Sequence, residues 1–278
     1  MNTANGKIPL LGLGTYQLSG DTAVEMVKQA LRVGYRHIDT AQMYDNEAEV
    51  GHAILASGLP RAHVFVTTKV WVDRFGRHQL PQSVDESLKR LNFDYVDLLL
   101  LHWPNPKIPL EETLEALMSV QQAGKTRYIG VSNFTTELMQ RAVEICGPDK
   151  LLNNQVEYHP YLDQDKVIKA AKSLNMSVTA YRPVAKGQVF RDQIIGRIAQ
   201  QHQRTPAQVV LRWLMQQGII AIPRSSQADH VSENFKVFGF SLSEDEMAAI
   251  SGLRGNQRLV DPAGLAPAWD EPELTPSR

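Results

Sequence analysis

The segment Val96-Asp97-Leu98-Leu99-Leu100-Leu101-His102-Trp103 decides the fold. Its leucine run lacks the two-residue alternation of a strand with one wet face, so it suits a strand buried on both faces, the habit of parallel sheets. Parallel neighbours cannot be joined by tight turns and need a crossover, usually a helix. Outward from this segment, short apolar runs rich in β-branched residues recur at Pro9 to Gly14, Arg36 to Asp39, Val64 to Val70, Thr126 to Ser132, Asn153 to Glu157, Ser177 to Tyr181 and Ile219 to Pro223. With the first segment they make eight, starting roughly every 30 residues. Between them apolar residues fall at helical spacing, as at Val24, Val27, Leu31 and then Ala48, Ile54, Leu55. Gly34 and Gly58 follow such patterns, Pro81 and Pro109 open them, and Gly124 and Gly218 close two more.

Strand and helix alternating eight times predict an α/β chain closed into an (α/β)8 TIM barrel, with an open doubly wound sheet as the structural alternative. Beyond the eighth strand the pattern continues as a helix near Ala228 to Val237 and another from Ser243 to Leu253. The second is opened by the capping sequence Ser243-Glu244-Asp245-Glu246. Residues 1–260 are expected to form one barrel domain. The tail from Asp261 to Arg278, with four prolines and almost no periodicity, either drapes over the barrel or is disordered.

Length and charge agree with this reading. The chain has 278 residues, 29 Lys+Arg against 30 Asp+Glu and a formal net charge of -1, which provides no electrostatic footprint for nucleic acid or an anionic membrane. No window approaches a membrane span and the start, MNTANGKIP, is not a secretory signal. The single cysteine, Cys146, cannot form an internal disulfide. A cytoplasmic monomer without nucleic-acid or membrane partners is expected, and no metal cluster is legible.

Several motifs fail on their mechanics. Gly12 and Gly14 in LGLGTY lack the third glycine of a dinucleotide fingerprint, because position 17 is Gln17. Gly124-Lys125-Thr126 leaves a helix to enter a strand, the reverse of a phosphate-binding loop. Glu111 and Glu112 sit where the helix dipole after Pro109 welcomes carboxylates. What holds is a set of polar residues at strand C-terminal ends, where barrel enzymes build their sites. Asp39 ends the second strand, Lys69 lies near the end of the third, His102 ends the fourth, and Tyr44 follows in the loop after Asp39. A tyrosine hydroxyl becomes a usable acid near neutrality if a cation lies beside it, so Lys69 is expected to lower the Tyr44 pKa while Asp39 orients the lysine. His102 would donate a hydrogen bond to an oxygen shared with Tyr44.

GYRHIDTAQMYDNEAEVG (34–51), VTTKVW (66–71), LLLLHWP (98–104), IGVSNF (129–134), NQVEYHPYL (154–162) and IPRSS (222–226) resemble, in this order, the aldo-keto reductase superfamily. The closing RLVDPAGLAPAWD (258–270) is similar to its bacterial 2,5-diketo-D-gluconate reductase B type, the methylglyoxal reductases. The resemblance spans nearly the whole chain and implies an (α/β)8 barrel that binds NADP(H) without a Rossmann domain. It implies that Asp39, Tyr44, Lys69 and His102 form a catalytic tetrad, and that Ser132, Asn133 and Gln155 hold the nicotinamide carboxamide against a stacked Tyr181. Arg224 and Ser225 match the group that takes the adenosine 2'-phosphate, with Glu233 and Asn234 on the adenine side. The position six beyond Arg224, often arginine in the family, is His230. Trp71 and Trp103 would wall a substrate pocket that the short WPNPKIP segment leaves open on one side. The loop after Tyr181 is short, and Arg182 and Lys186 could compensate for an incomplete strap over the pyrophosphate. No metal is implied. The expected activity is NADPH-dependent reduction of small activated carbonyls: 2,5-diketo-D-gluconate, methylglyoxal-like α-dicarbonyls and aldehydes. The rivals are a barrel lyase using Lys69 as a Schiff-base amine, and a non-catalytic nicotinamide-binding partner subunit.

Overall fold

A computed structural model of the chain describes residues 3, 4 and 6–271. Eight parallel strands run in sequence order: β1 (Leu13–Gly14), β2 (His37–Asp39), β3 (Phe65–Val70), β4 (Val96–Leu101), β5 (Thr126–Ser132), β6 (Leu151–Glu157), β7 (Ser177–Tyr181) and β8 (Ile220–Ala221). The sheet closes on itself. Leu11 bridges Ala221 in parallel, the Gly12 N–H donates to the Ala221 carbonyl at 2.9 Å, and the Gly14 N–H donates to the Pro223 carbonyl at 3.0 Å. Every residue of β4 is buried, as expected of a strand covered by side chains inside and helices outside.

The crossovers are α1 (Gly20–Val33), α2 (Glu47–Leu55), α3 (Gln79–Leu91), α4 (Leu110–Gln122), α5 (Thr136–Cys146) and α6 (Asp165–Ser173). Two helices, α7 (Gln193–Gln201) and α8 (Pro206–Gln216), separate β7 from β8, and α9 (Ala228–Phe235) and α10 (Glu244–Ser251) follow. The break between α7 and α8 is written locally. Asp192 caps α7 through Ile194 and Ile195, and Thr205 with Gln208 forms a capping box around Pro206 at the first helical position of α8.

The first strand is shorter than the run Pro9 to Gly14 suggests. Ile8–Pro9 instead pairs antiparallel with Thr3–Ala4. The two glycines of LGLGTY are explained by crowding at the seam of the barrel. A Cβ on Gly12 would lie 2.7 Å from the His37 ring nitrogen, and one on Gly14 would lie 2.9 Å from the Ile222 carbonyl oxygen. Pro81 falls third in α3, still within the first turn, where its missing N–H is no loss.

Because all strands run the same way, Asp39, Lys69, Ser132, Glu157 and Tyr181 come to one rim. The opposite rim is held by Asp97, whose carboxylate takes Arg61 at 2.8 Å, Arg127 at 3.0 Å and the Val66 N–H at 2.9 Å. After α10 the chain turns back over the functional rim. Gly255 and Gln257 donate to the Tyr161 carbonyl, Leu259 and Val260 donate to Glu157, and Asp270 accepts from the Thr136 N–H and hydroxyl. The tail therefore drapes as far as residue 271, and residues 272–278 of the expected tail lie outside the described residues. No helix among the described residues is long and apolar enough to cross a membrane.

The tightest helix contact sets a stability test. A Cβ on Gly51 in α2 would lie 2.0 Å from the Leu91 carbonyl oxygen at the end of α3, whereas one on Gly196 in α7 meets nothing within 4 Å. Gly51→Ala should lose about 1–3 kcal/mol or more by overpacking. Gly196→Ala should gain about 0.5–1 kcal/mol from helix propensity. Denaturant midpoints of both variants check the pair, and equal effects would contradict this packing.

Candidate active site

Lys69 lies on the inner face of β3 and is 0% exposed. Its three ammonium hydrogens have three acceptors: Asp39 Oδ1 at 2.5 Å, the Thr40 carbonyl at 2.9 Å and the Tyr44 hydroxyl at 3.2 Å. Asp39, 1% exposed, uses its other oxygen to accept from Gln155 Nε2 at 2.7 Å, which ties β2 to β6 across the barrel. Tyr44 ends a 3-10 turn, Gln42–Tyr44, after which Asp45 adopts φ 52°. Gln42 pins that turn by donating to Ser83 and Ser87 and accepting from the Trp71 N–H at 3.0 Å. Asn46 holds the far side, accepting from the Thr40 hydroxyl and donating to the Thr15 and Leu18 carbonyls. The phenol is thus fixed from both ends of its loop.

His102 completes the cluster. Its ring meets Tyr44 edge-on at 5.6 Å and Trp71 at 5.2 Å. Nδ1 is buried without a hydrogen-bond partner, and no described residue bonds the ring, so the donor left for a bound molecule is the imidazole itself. Burial, reinforced by the Lys69 charge, holds His102 well below its usual 6.5 and hence neutral. For Lys69 burial works against the ammonium, but the Asp39 carboxylate and the Tyr44 hydroxyl outweigh it and hold the lysine above its usual value.

Tyr44 departs from the sequence reading. Burial pushes the phenol above its usual 10 and outweighs the opposing pull of Lys69. The expected net lowering is not found, because burial raises the phenol by more than the Lys69 charge lowers it, and the Asp39 carboxylate adds to the rise. The arrangement suits a group that must keep its proton until the moment of transfer. The adjacent ammonium is within hydrogen-bond reach of the hydroxyl oxygen, where it would stabilise a phenolate.

The family is read from the whole chain. Residues 10–254 match the aldo/keto reductase family model. The chain is 45% identical over 265 residues to methylglyoxal reductase DkgB of Escherichia coli O157:H7, covering 95% of this chain and 99% of that protein. A crystal structure provisionally described as a 2,5-diketo-D-gluconic acid reductase B superposes with TM-score 0.94 at 48% identity, covering 97% of this chain and 96% of the other. A Bombyx mori aldo-keto reductase in complex with NADP superposes with TM-score 0.86 at 33% identity, covering 94% of each chain. The chain belongs to the aldo/keto reductase family. It is an oxidoreductase of that family, relatives of which have been crystallised with NADPH or NADP.

In this aldo/keto reductase the residues expected at the nicotinamide are clustered beside the tetrad, and several are engaged with one another. Ser132 donates to the Gln155 carbonyl at 2.8 Å. Asn133, at φ 62°, donates to the His102 carbonyl at 3.0 Å and accepts from the Tyr181 hydroxyl at 2.8 Å. Gln155 spends its amide N–H on Asp39, while no described residue donates to its Oε1, which leaves an acceptor for a carboxamide. The Tyr181 ring is partly exposed and offers a flat face. Just beyond β8, Arg224 is exposed and donates to the Tyr16 and Gln17 carbonyls. Ser225 closes a turn with Gln227, His230 is exposed on α9, Glu233 is half-buried and Asn234 is buried. The short loop after Tyr181 is filled by a 3-10 segment, Ala185–Arg191, kinked at Lys186 and Gly187.

The walls differ from expectation. Trp71 is half-buried at the mouth, but Trp103 is only 5% exposed, because Trp269 of the tail meets it edge-on at 6.1 Å. The side expected to be open is covered by the tail. Tyr16, whose ring lies 5.1 Å from that of Tyr44, and Arg258, stacked on Trp269, were not singled out by residue-level reading. The signal for the latter pair was a large cation and a tryptophan in an otherwise proline-rich, small-residue tail.

Removing one member of the buried Lys69–Asp39 pair leaves an uncompensated charge, so Asp39→Asn or Lys69→Met should each lose about 3–5 kcal/mol. The double variant should lose clearly less than the sum, because neither charge is then stranded. Additive losses in a denaturation cycle would contradict the coupling.

Proposed function

We propose that this enzyme reduces small activated carbonyls with NADPH, that Tyr44 is the proton donor, and that it works as a cytosolic monomer. The observation that carries the reading is the saturated Lys69 ammonium, whose third hydrogen bond is to the Tyr44 hydroxyl. NADPH, when bound, supplies the hydride. Tyr44 Oη gives its proton to the substrate oxygen as negative charge develops there, and the adjacent ammonium stabilises the phenolate that remains. Neutral His102 donates a hydrogen bond to the same oxygen, orienting the carbonyl without competing as an acid. Asp39 keeps Lys69 charged and aimed. Gln155, through Asp39 and its free Oε1, links this charge system to the carboxamide, with Ser132, Asn133 and the Tyr181 face beside it. Arg224, with Ser225 and His230, takes the 2'-phosphate by exchanging its present carbonyl acceptors for phosphate oxygens, a role suited to a planar fork of donors. Glu233 and Asn234 border the adenine, and Trp71 and Trp103 wall the substrate. The likeness to methylglyoxal reductase DkgB supports α-dicarbonyls, and the likeness to a 2,5-diketo-D-gluconic acid reductase B supports keto sugar acids.

A Schiff-base lyase needs a lysine with a free lone pair, and Lys69 is instead held above its usual value by Asp39 and Tyr44. That rival has no support in the geometry.

Tyr44→Phe should leave NADPH affinity, read by cofactor fluorescence, nearly intact while lowering turnover on methylglyoxal by orders of magnitude. In the wild type, turnover at saturating NADPH should show no inflection near the usual histidine value of 6.5, because His102 is already neutral there. It should fall only at alkaline pH, as the phenol loses its proton above its ordinary 10. Near-normal turnover in Tyr44→Phe sinks the assignment.

Arg224→Gly should reduce the ratio of kcat/KM with NADPH to that with NADH, chiefly by weakening NADPH. An unchanged ratio would put the 2'-phosphate elsewhere.

A further inference from the structure

Glu47 opens α2 shortly beyond Tyr44, and its side chain is 1% exposed. A carboxylate so far removed from water needs its oxygens paired. Oε1 accepts from the Thr68 hydroxyl at 2.5 Å, and Oε2 accepts from Arg90 Nε at 2.9 Å and Nη2 at 2.7 Å. Arg90, on α3, also donates to Ser87 Oγ at 3.2 Å, and the same hydroxyl oxygen accepts from Gln42 Nε2 at 3.0 Å. Gln42 in turn accepts from the Trp71 N–H at 3.0 Å. These bonds run in one circuit through Thr68, Glu47, Arg90, Ser87, Gln42 and Trp71. Gln42 and Glu47 stand on either side of Tyr44 in the chain, and Thr68 and Trp71 stand on either side of Lys69.

A simple staple between α2 and α3 would not need such a circuit. Gly51 already seats α2 on the end of α3, where a Cβ would lie 2.0 Å from the Leu91 carbonyl oxygen. The bonds to Thr68 and to the Trp71 N–H run instead from the Tyr44 loop to residues that flank Lys69. Between them lies the bond from Lys69 Nζ to the Tyr44 hydroxyl, 3.2 Å long. It is the longest of the three that the ammonium makes, so it is the first to be lost when either backbone shifts. We infer that the Glu47–Arg90 pair, bonded to Thr68 on one side and through Ser87 to Gln42 on the other, is a positioning device that holds the Tyr44 hydroxyl against Lys69. Arg90 does so from the outer layer of helices, with its side chain 40% exposed. The inference rests on the proposed role of Tyr44 as proton donor and adds what keeps that donor in place.

The test uses Thr68→Val, which keeps the shape of the side chain and removes the hydroxyl, Thr68→Ser, which restores it, and Arg90→Gln with Arg90→Lys. Denaturant midpoints establish that each variant is folded, NADPH affinity is read by fluorescence, and turnover is followed on a panel of small carbonyls that includes methylglyoxal. Thr68→Val and Arg90→Gln should each lower kcat about tenfold to a hundredfold, the loss expected of a misplaced reacting group, with KM and NADPH affinity changed no more than a few-fold. A displaced donor slows proton transfer, so the solvent deuterium isotope effect on kcat should rise in both. Thr68→Ser should recover most of the wild-type kcat, and Arg90→Lys, which keeps the charge but not the two-nitrogen grip, should recover part. Amide hydrogen exchange should quicken over residues 42–47 in Thr68→Val and Arg90→Gln while the rest of the barrel keeps its protection. Lowered midpoints with wild-type kcat and isotope effect would reduce the circuit to a structural support and overturn the inference, as would equal losses in Thr68→Val and Thr68→Ser. If the wild type reduces no carbonyl of the panel, the reductase reading fails. Exchange over residues 42–47 then decides the positioning role alone: faster in Thr68→Val but not in Thr68→Ser upholds it, and unchanged in both overturns it.

Discussion

The contact between Lys69 and Asp39, 2.5 Å long with side chains 0% and 2% exposed, is the constraint on which the functional rim depends. Two charges removed from water are tolerable only when each is paired and every remaining hydrogen-bonding position is filled. That requirement recruits the neighbours. The ammonium needs the Thr40 carbonyl and the Tyr44 hydroxyl, and the second carboxylate oxygen needs Gln155. Thr40 is in turn bonded to Asn46, and the loop carrying Tyr44 is pinned through Gln42 to α3. The order of the reacting groups follows from the need to satisfy one buried pair.

The same pair explains an apparent conflict in the electrostatics. A lone cation beside a phenol lowers its pKa, but here the cation is matched by Asp39, and burial leaves the phenol raised. His102, without a counter-charge of its own, is driven neutral by burial and by Lys69. The three groups therefore rest in distinct states: a protonated phenol, a charged ammonium and a neutral imidazole. In the proposed reduction the phenol is the group that would change state.

The strand ends were legible because near-continuous apolar runs between helical patterns allow few architectures, and parallel strands collect their C-terminal residues at one rim. Asp39, Lys69 and His102 could be placed from that rule before any geometry was known. Strand β1 was less legible, since Leu11 to Gly14 divides its hydrogen bonds between β2 and β8 and no local pattern marks where pairing begins. The Tyr44 shift was not legible either, because the balance between burial and a paired cation depends on distances that spacing does not provide. The tail was least legible. It has no periodic face, and its position is set by long-range contacts such as Glu157 with the Leu259 and Val260 N–H groups, 102 and 103 positions apart.

Those tail contacts divide the labour within the molecule. In the proposed reaction the barrel supplies the groups for proton transfer, which any carbonyl could use, since they would address only the oxygen. Discrimination among carbonyls must come from residues that touch the rest of the substrate. A tail clamped by a fully buried carboxylate, with Trp269 against Trp103 and Asp270 on the first turn of α5, is rigid enough to do so. Because Glu157 binds the Leu259 and Val260 N–H groups, this one anchor of the tail does not depend on the tail's side chains, whereas Trp269 and Asp270 anchor it through theirs. Substitutions at the rim of the tail are remote from the buried Lys69–Asp39 pair and leave it undisturbed.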